Sequence, residues 1–198
     1  MSDALVVEGR AFARAVLDRQ QEIRPGDAFK GGVAMRAEEG ELWLHPYMFR
    51  LVCKNGAIVA QTVTTRHVDL QVSLPEVAQF LIEEGVKACC AAEVFDVNVG
   101  RVRTLAEKQM DKTMMLMALM SRHGGMLSTP LMQNVIREML GREMTAYDAM
   151  NGITARAREE RDPVMKWELE ELGGSLAVLK VPERPRMPAA AVRRGVLV

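Results

Sequence analysis

The sequence predicts an α+β fold: an N-terminal helix, an antiparallel meander of three to four strands, four to five packed helices and a flexible C-terminal tail. Three observations carry this expectation. Residues 49–60 alternate with the period of a strand and are interrupted only by Asn55-Gly56, a dipeptide that suits a type I′ turn. Beyond Ser73-Leu74-Pro75-Glu76, a capping box, the apolar residues recur at helical spacing. From Val181 onward apolar anchors thin out, and prolines and arginines take over.

In chain order, Ser2 or Asp3 caps a predicted helix over 3–21, with Leu5, Phe12 and Val16 beside Ala4, Ala11 and Ala15 as its apolar stripe. Pro25-Gly26-Asp27 ends it and opens the sheet. Val33–Arg36 and Glu41–His45 pair around the turn Glu38-Glu39-Gly40. Phe49, Leu51 and Cys53 alternate with Arg50, Val52 and Lys54 as the next strand, and Ala57-Ile58-Val59-Ala60 returns along it. Such a sheet has a face to bury, which the helical half must cover. Val77, Phe80, Leu81 and Val86 belong to the first covering helix, and residues 95–98 read as a break. A second helix runs over 99–122 and is rich in methionine: Met110, Met114, Met115, Met117 and Met120. Ser128-Thr129-Pro130 opens a third, with Met132, Val135, Ile136, Met139 and Leu140 as its stripe. Thr145 with Asp148 opens a fourth, carrying Tyr147, Met150, Ile153, Thr154 and Ala157 on one side. Pro163 begins a fifth, which turns Met165, Leu169 and Leu172 inward and stops at Gly173-Gly174.

A chain of 198 residues suits one domain over 1–180 followed by a tail over 181–198. Its 26 basic and 26 acidic residues balance, which argues against a strongly basic nucleic-acid binder. The exception is local: Lys180, Arg184, Arg186, Arg193 and Arg194 against Glu183 give the C-terminal stretch about +4. Three cysteines, two of them adjacent, fit no disulfide framework and point to the cytoplasm. The N-terminal stretch lacks a signal-type apolar block, and no run approaches a membrane span.

Among chemically capable residues, Arg50, Asn55 and His67 can form an anion site if His67 ends a strand beside Arg50. The simpler account gives Asn55 to the turn, Arg50 to a helix carboxylate and His67 to a strand end. Cys53 with His45 or His67 offers a nucleophile and a base, but its strand neighbours suggest a buried, inert thiol. Asn151 and Thr154 share a helical face and can hold a polar ligand, or bond a loop instead. The three histidines and three cysteines show no metal-ligand spacing, so neither a metal nor a cofactor is expected. No phosphate loop, nucleophile elbow or other catalytic motif is present, and the enzyme question leans to no.

The segments FRLVCKNG and TRHV, then TAYDAMNGITARARE and KWELEELGG, resemble the domain of unknown function 932 family, often carried by phages and plasmids. The likeness spans about Phe29 to Leu176 and implies an accessory protein of mobile elements without assigning an activity. The order helix, antiparallel meander, long helix is also similar in outline to single-strand annealing proteins of recombination. From this follows a first expectation: a non-enzymatic, self-associating protein that binds single-stranded DNA weakly through Arg50, Arg66, Arg184, Arg186, Arg193 and Arg194. Two alternatives stand beside it. One is a protein-interaction module whose homo-oligomer contact uses Met114 and Met117. The other is an enzyme with a polar pocket holding Arg50, His67 and Asn151 together.

Overall fold

The computed structural model describes residues 2–39, 41–59, 64–67, 75–107 and 144–178, with scattered positions between 111 and 137. The α+β class holds, but the chain begins with strands, not a helix. β1 (Ser2–Val7) and β2 (Arg10–Arg24) form a hairpin around Glu8-Gly9, where both residues have positive φ, 50° and 78°. That is the backbone a primed two-residue hairpin turn requires. Arg10, Phe12 and Arg14 face one way from β2 and Ala11, Ala13 and Ala15 the other, so a period of two underlies the alanine-rich stretch. Alanine's helix propensity yields here to the pairing of a long strand on both sides.

β3 (Asp27–Glu38) and β4 (Glu41–Arg50) continue the meander. Arg24-Pro25-Gly26-Asp27 makes the β2–β3 turn, with Gly26 at φ 76°. The β3–β4 turn falls where the sequence places it, Val33 lying opposite Pro46 and Glu38 opposite Glu41. β5 (Asn55–Ile58) and β6 (Thr64–His67) both pair with β4, at its two ends. The sheet therefore has six antiparallel strands in the order β1-β2-β3-β4, with β5 and β6 sharing the last edge.

The Asn55-Gly56 expectation is corrected. Arg50 lies opposite Asn55 and Phe49 opposite Gly56, so both residues are in β5, and Leu51 to Lys54 form the loop, with Lys54 at φ 51°. Cys53 accordingly sits in that loop and not in a strand. Gly56 is required for another reason: a Cβ there would lie 1.7 Å from the Tyr47 hydroxyl, which crosses β5 at this point.

α1 (Pro75–Cys90) and α2 (Ala92–Glu107) cover the back of the sheet. Gly85 brings α1 onto Leu44, where a Cβ would meet the leucine side chain at 1.9 Å. The interruption expected over 95–98 lies instead at Ala91. Phe95, Asn98, Val99, Val102 and Leu105 are the buried stripe of α2. Of the next helices, described positions such as 115–117, 133, 134, 136 and 137 are helical.

α3 (Ala146–Glu159) opens with the expected Thr145–Asp148 capping box, and α4 (Pro163–Ser175) is capped by Asp162 with Pro163 at its first position. Gly173-Gly174 does not stop α4. Gly173 faces Thr154 of α3, and a Cβ on Gly174 would lie 1.9 Å from the Ile58 carbonyl oxygen. The pair lets α4 rest on α3 and β5 at once. The tail from residue 181, with Arg184, Arg186, Arg193 and Arg194, lies outside the described residues, as does Met114.

Candidate functional site

Four of the sequence-selected residues converge where α3 meets the Arg50 end of β4. Arg50 holds Asp27 through two bonds, Nε to Oδ1 and Nη2 to Oδ2, both 2.7 Å. The Tyr147 hydroxyl donates to the same carboxylate, and Asn55 Nδ2 donates to Thr154 Oγ1. Asn151 follows Tyr147 by one helical turn, and its Oδ1, like that of Asn55, is buried without a hydrogen-bond partner. The Tyr147 ring lies between the Arg24 and Arg50 guanidiniums, 4.7 and 5.7 Å from its centroid. Burial alone would raise the Asp27 pKa, but the bonds from Arg50 and Tyr147 outweigh it and hold the carboxyl below its ordinary value. Arg50 Nη1 also reaches Cys53 Sγ at 3.3 Å, and Arg158 Nη1 donates to the Cys53 carbonyl at 2.6 Å. This junction fastens the β4–β5 loop to α3, with each cation matched to an acceptor.

His67 is not part of it. β6 runs beside the other end of β4, where His67 lies opposite Glu41 and Arg66 opposite Leu42. Glu41 and Arg50 are nine steps apart along the strand, about 30 Å. The pocket envisaged for Arg50, His67 and Asn151 together is thus not assembled.

A different site forms on the front of the sheet, under α4. Trp167, Glu170, Glu171 and Gly174 share one side of that helix by their i, i+3, i+4, i+7 spacing. Trp167 is 1% exposed, and its ring lies 5.7 Å from both Phe12 and His45. On its inner side Arg14 Nε donates to Glu170 Oε2 at 2.7 Å, and the Arg14 guanidinium lies 5.6 Å from the indole centroid. Burial raises the Glu170 pKa even against the pull of Arg14.

On its outer side a cavity of about 580 Å³ opens. Arg36, Trp43 and His45 line it from the strands, Trp167 and Glu171 from α4, and Glu38, Glu39 and Glu41 from the β3–β4 turn. The volume falls within the range of small-molecule sites. Arg36 lies 5.5 Å over Trp43 and donates to Glu38, which also accepts from Arg10. His45 is 6% exposed and its Nδ1 has no hydrogen-bond partner; Arg36 Nε is likewise buried without one. Burial first, then the Arg36 charge, brings the His45 pKa down to about 4, so the imidazole is uncharged at neutral pH. Burial also raises the Glu171 pKa.

No family model, curated protein or solved structure matches the chain. The cavity therefore stands on its own geometry. Sequence reasoning named His45 only as a base for Cys53 and passed over Trp43, Trp167 and Glu171. Two signals were available: both tryptophans of the chain line this cavity, and Glu170-Glu171 follows Trp167 at helical spacing.

Proposed function

We propose that this chain is a small-molecule-binding module whose site is the indole-walled cavity between α4 and the β3–β4 hairpin. The observation that carries this is His45: a buried imidazole with an unpartnered nitrogen in the wall of a 580 Å³ cavity. Buried polar groups are normally hydrogen-bonded, and an unpartnered one in a cavity wall is a candidate for a ligand's polar group. Arg36 Nε–H is a second unpartnered group on the same wall. The two tryptophans make the site self-reporting. A fragment set spanning cationic, neutral and anionic members is expected to give at least one saturable change in tryptophan emission, weakened in Trp43→Phe. Flat emission throughout the set rejects this function.

Self-association is a second reading, favoured by one observation. Met115 is fully buried, whereas Met117 and Met120 are each 61% exposed, so the methionine-rich segment offers apolar surface outward. Light scattering tests it: Met117→Glu is expected to lower the mass if this surface joins copies. Weak binding to single-stranded DNA, on this proposal, would rest on Arg66 and the tail arginines, because Arg50 is engaged by Asp27. The resemblance to the domain of unknown function 932 family is compatible with either role and names no ligand.

A further inference from the structure

We propose that the cavity under α4 takes an organic cation, an ammonium group carried on an apolar or aromatic body. This rests on the small-molecule reading above and names the class of ligand. The walls carry four carboxylates, Glu38, Glu39, Glu41 and Glu171, against the single guanidinium of Arg36. Arg36 and Arg10 both donate to Glu38, so the two nearby cations converge on one acid. Among the described residues, no ion pair joins Glu39, Glu41 or Glu171 to a basic side chain. Glu171 lines the cavity together with buried His45 and Trp167, and burial disfavours its charge. A carboxylate in that setting gains most from a cation brought to it.

His45 supplies an independent indication. Its imidazole is uncharged at neutral pH, so it adds no positive charge to repel a cation. An anion would meet three carboxylates that no basic side chain among the described residues pairs, and a neutral ligand would leave them so. The Trp43 indole then receives the apolar body, and it already lies under the Arg36 guanidinium, at 5.5 Å, in the geometry that cations adopt over indole. A metal ion is the poorer occupant, since no three His, Cys, Asp or Glu side chains among the described residues converge to ligate one.

Three matched probes decide the charge class: benzylammonium, benzyl alcohol and benzoate, each titrated into the full chain at neutral pH while tryptophan emission is followed. Saturable binding of benzylammonium is expected, with benzyl alcohol at least about tenfold weaker and benzoate flat. Glu171→Gln should weaken benzylammonium about tenfold or more while leaving benzyl alcohol unchanged; should that variant fail to fold, Glu41→Gln at the rim should lower affinity severalfold. Equal or tighter binding of benzyl alcohol or benzoate overturns the cation assignment and leaves the cavity reading standing. Benzylammonium binding that neither glutamine variant weakens also overturns it. Flat emission with all three probes overturns both.

Discussion

Arg14 and Glu170 form an ion pair with side-chain exposures of 9% and 3%, and the effect of breaking it can be worked out from its surroundings. Arg14→Met removes the guanidinium bonded to Glu170 and leaves a buried carboxylate beside Tyr47, whose hydroxyl lies 3.5 Å from Oε1. Breaking a buried pair from one side typically costs about 3–5 kcal/mol, a large share of the 5–15 kcal/mol that holds a domain folded. For a chain of this size that is roughly 6–20 °C in Tm. Replacing both partners, Arg14→Met with Glu170→Leu, fills the same space with apolar groups and should restore stability to within about 1–2 kcal/mol of the native chain. The pH response separates charge from packing. The folded-state pKa of Glu170 is raised, so its contribution to stability is full below the ordinary value of 4.5 and is lost as pH rises through the folded pKa. Removing Arg14 raises that pKa further, so Arg14→Met should be weakest at pH 8 and recover towards pH 5. Urea unfolding followed by tryptophan emission at several pH values measures all three chains. If Arg14→Met costs under about 1 kcal/mol at pH 7, or the double variant is as unstable as the single, the account of this pair is wrong.

Gly174→Ala should destabilise by about 1–3 kcal/mol, despite alanine's better helix propensity, because the new Cβ would stand 1.9 Å from the Ile58 carbonyl oxygen; a gain in chemical-denaturation stability would show that α4 does not approach β5 so closely. His45 has its folded pKa lowered to about 4 from 6.5, so its contribution is present above pH 6.5 and disappears as pH falls towards 4. That window is worth on the order of 3 kcal/mol, and His45→Phe should flatten it in the same urea measurement. Alkylation followed by mass spectrometry should modify loop residue Cys53 first and Cys89 last, since burial pushes the Cys89 thiol up to about 12 and leaves it 3% exposed.

The helical half was the more legible because its signals are local. The capping box at Thr145–Asp148, the stripe Tyr147, Met150, Ile153 and Ala157, and Pro163 at the start of α4 all act within one or two turns, and each appears where the spacing put it. The N-terminal hairpin was misread because its residues satisfy both periods. Leu5, Phe12 and Val16 fall on a helical stripe, yet Phe12 also alternates with alanines, and only pairing with β1 and β3 selects the strand. Both glycine corrections have one cause. Gly56 and Gly173-Gly174 were read as turn and stop signals, whereas Tyr47, Thr154 and the Ile58 carbonyl, all distant in sequence or across a strand, are what exclude a side chain there. The grouping of Arg50 with Asn55, and of Asn151 with Thr154, was legible; that the two pairs meet each other and Asp27 was not, because Asp27 comes from the far end of β3.

The two ends of β4 show why the cavity is the stronger functional candidate of the two polar clusters. At the Arg50 end the buried charges are compensated: Asp27 receives Arg50 and Tyr147, and its pKa falls below the ordinary value. Folding alone accounts for these charges, although the amide oxygens Asn55 Oδ1 and Asn151 Oδ1 are buried there without a partner. At the Glu41 end folding alone accounts for much less. Burial raises the pKa of Glu171 and lowers that of His45, so each is less willing to carry its charge than in water, and the His45 nitrogen is left without a partner. A phenylalanine at position 45 would sit against Trp167 and remove that cost. Groups that burden the fold while facing an open cavity are what a site selected for binding contains. On that ground a His45→Phe chain that is more stable at pH 5 and fails to take up the cationic probe would locate the site, whereas one that binds as the native chain does would return His45 to the core.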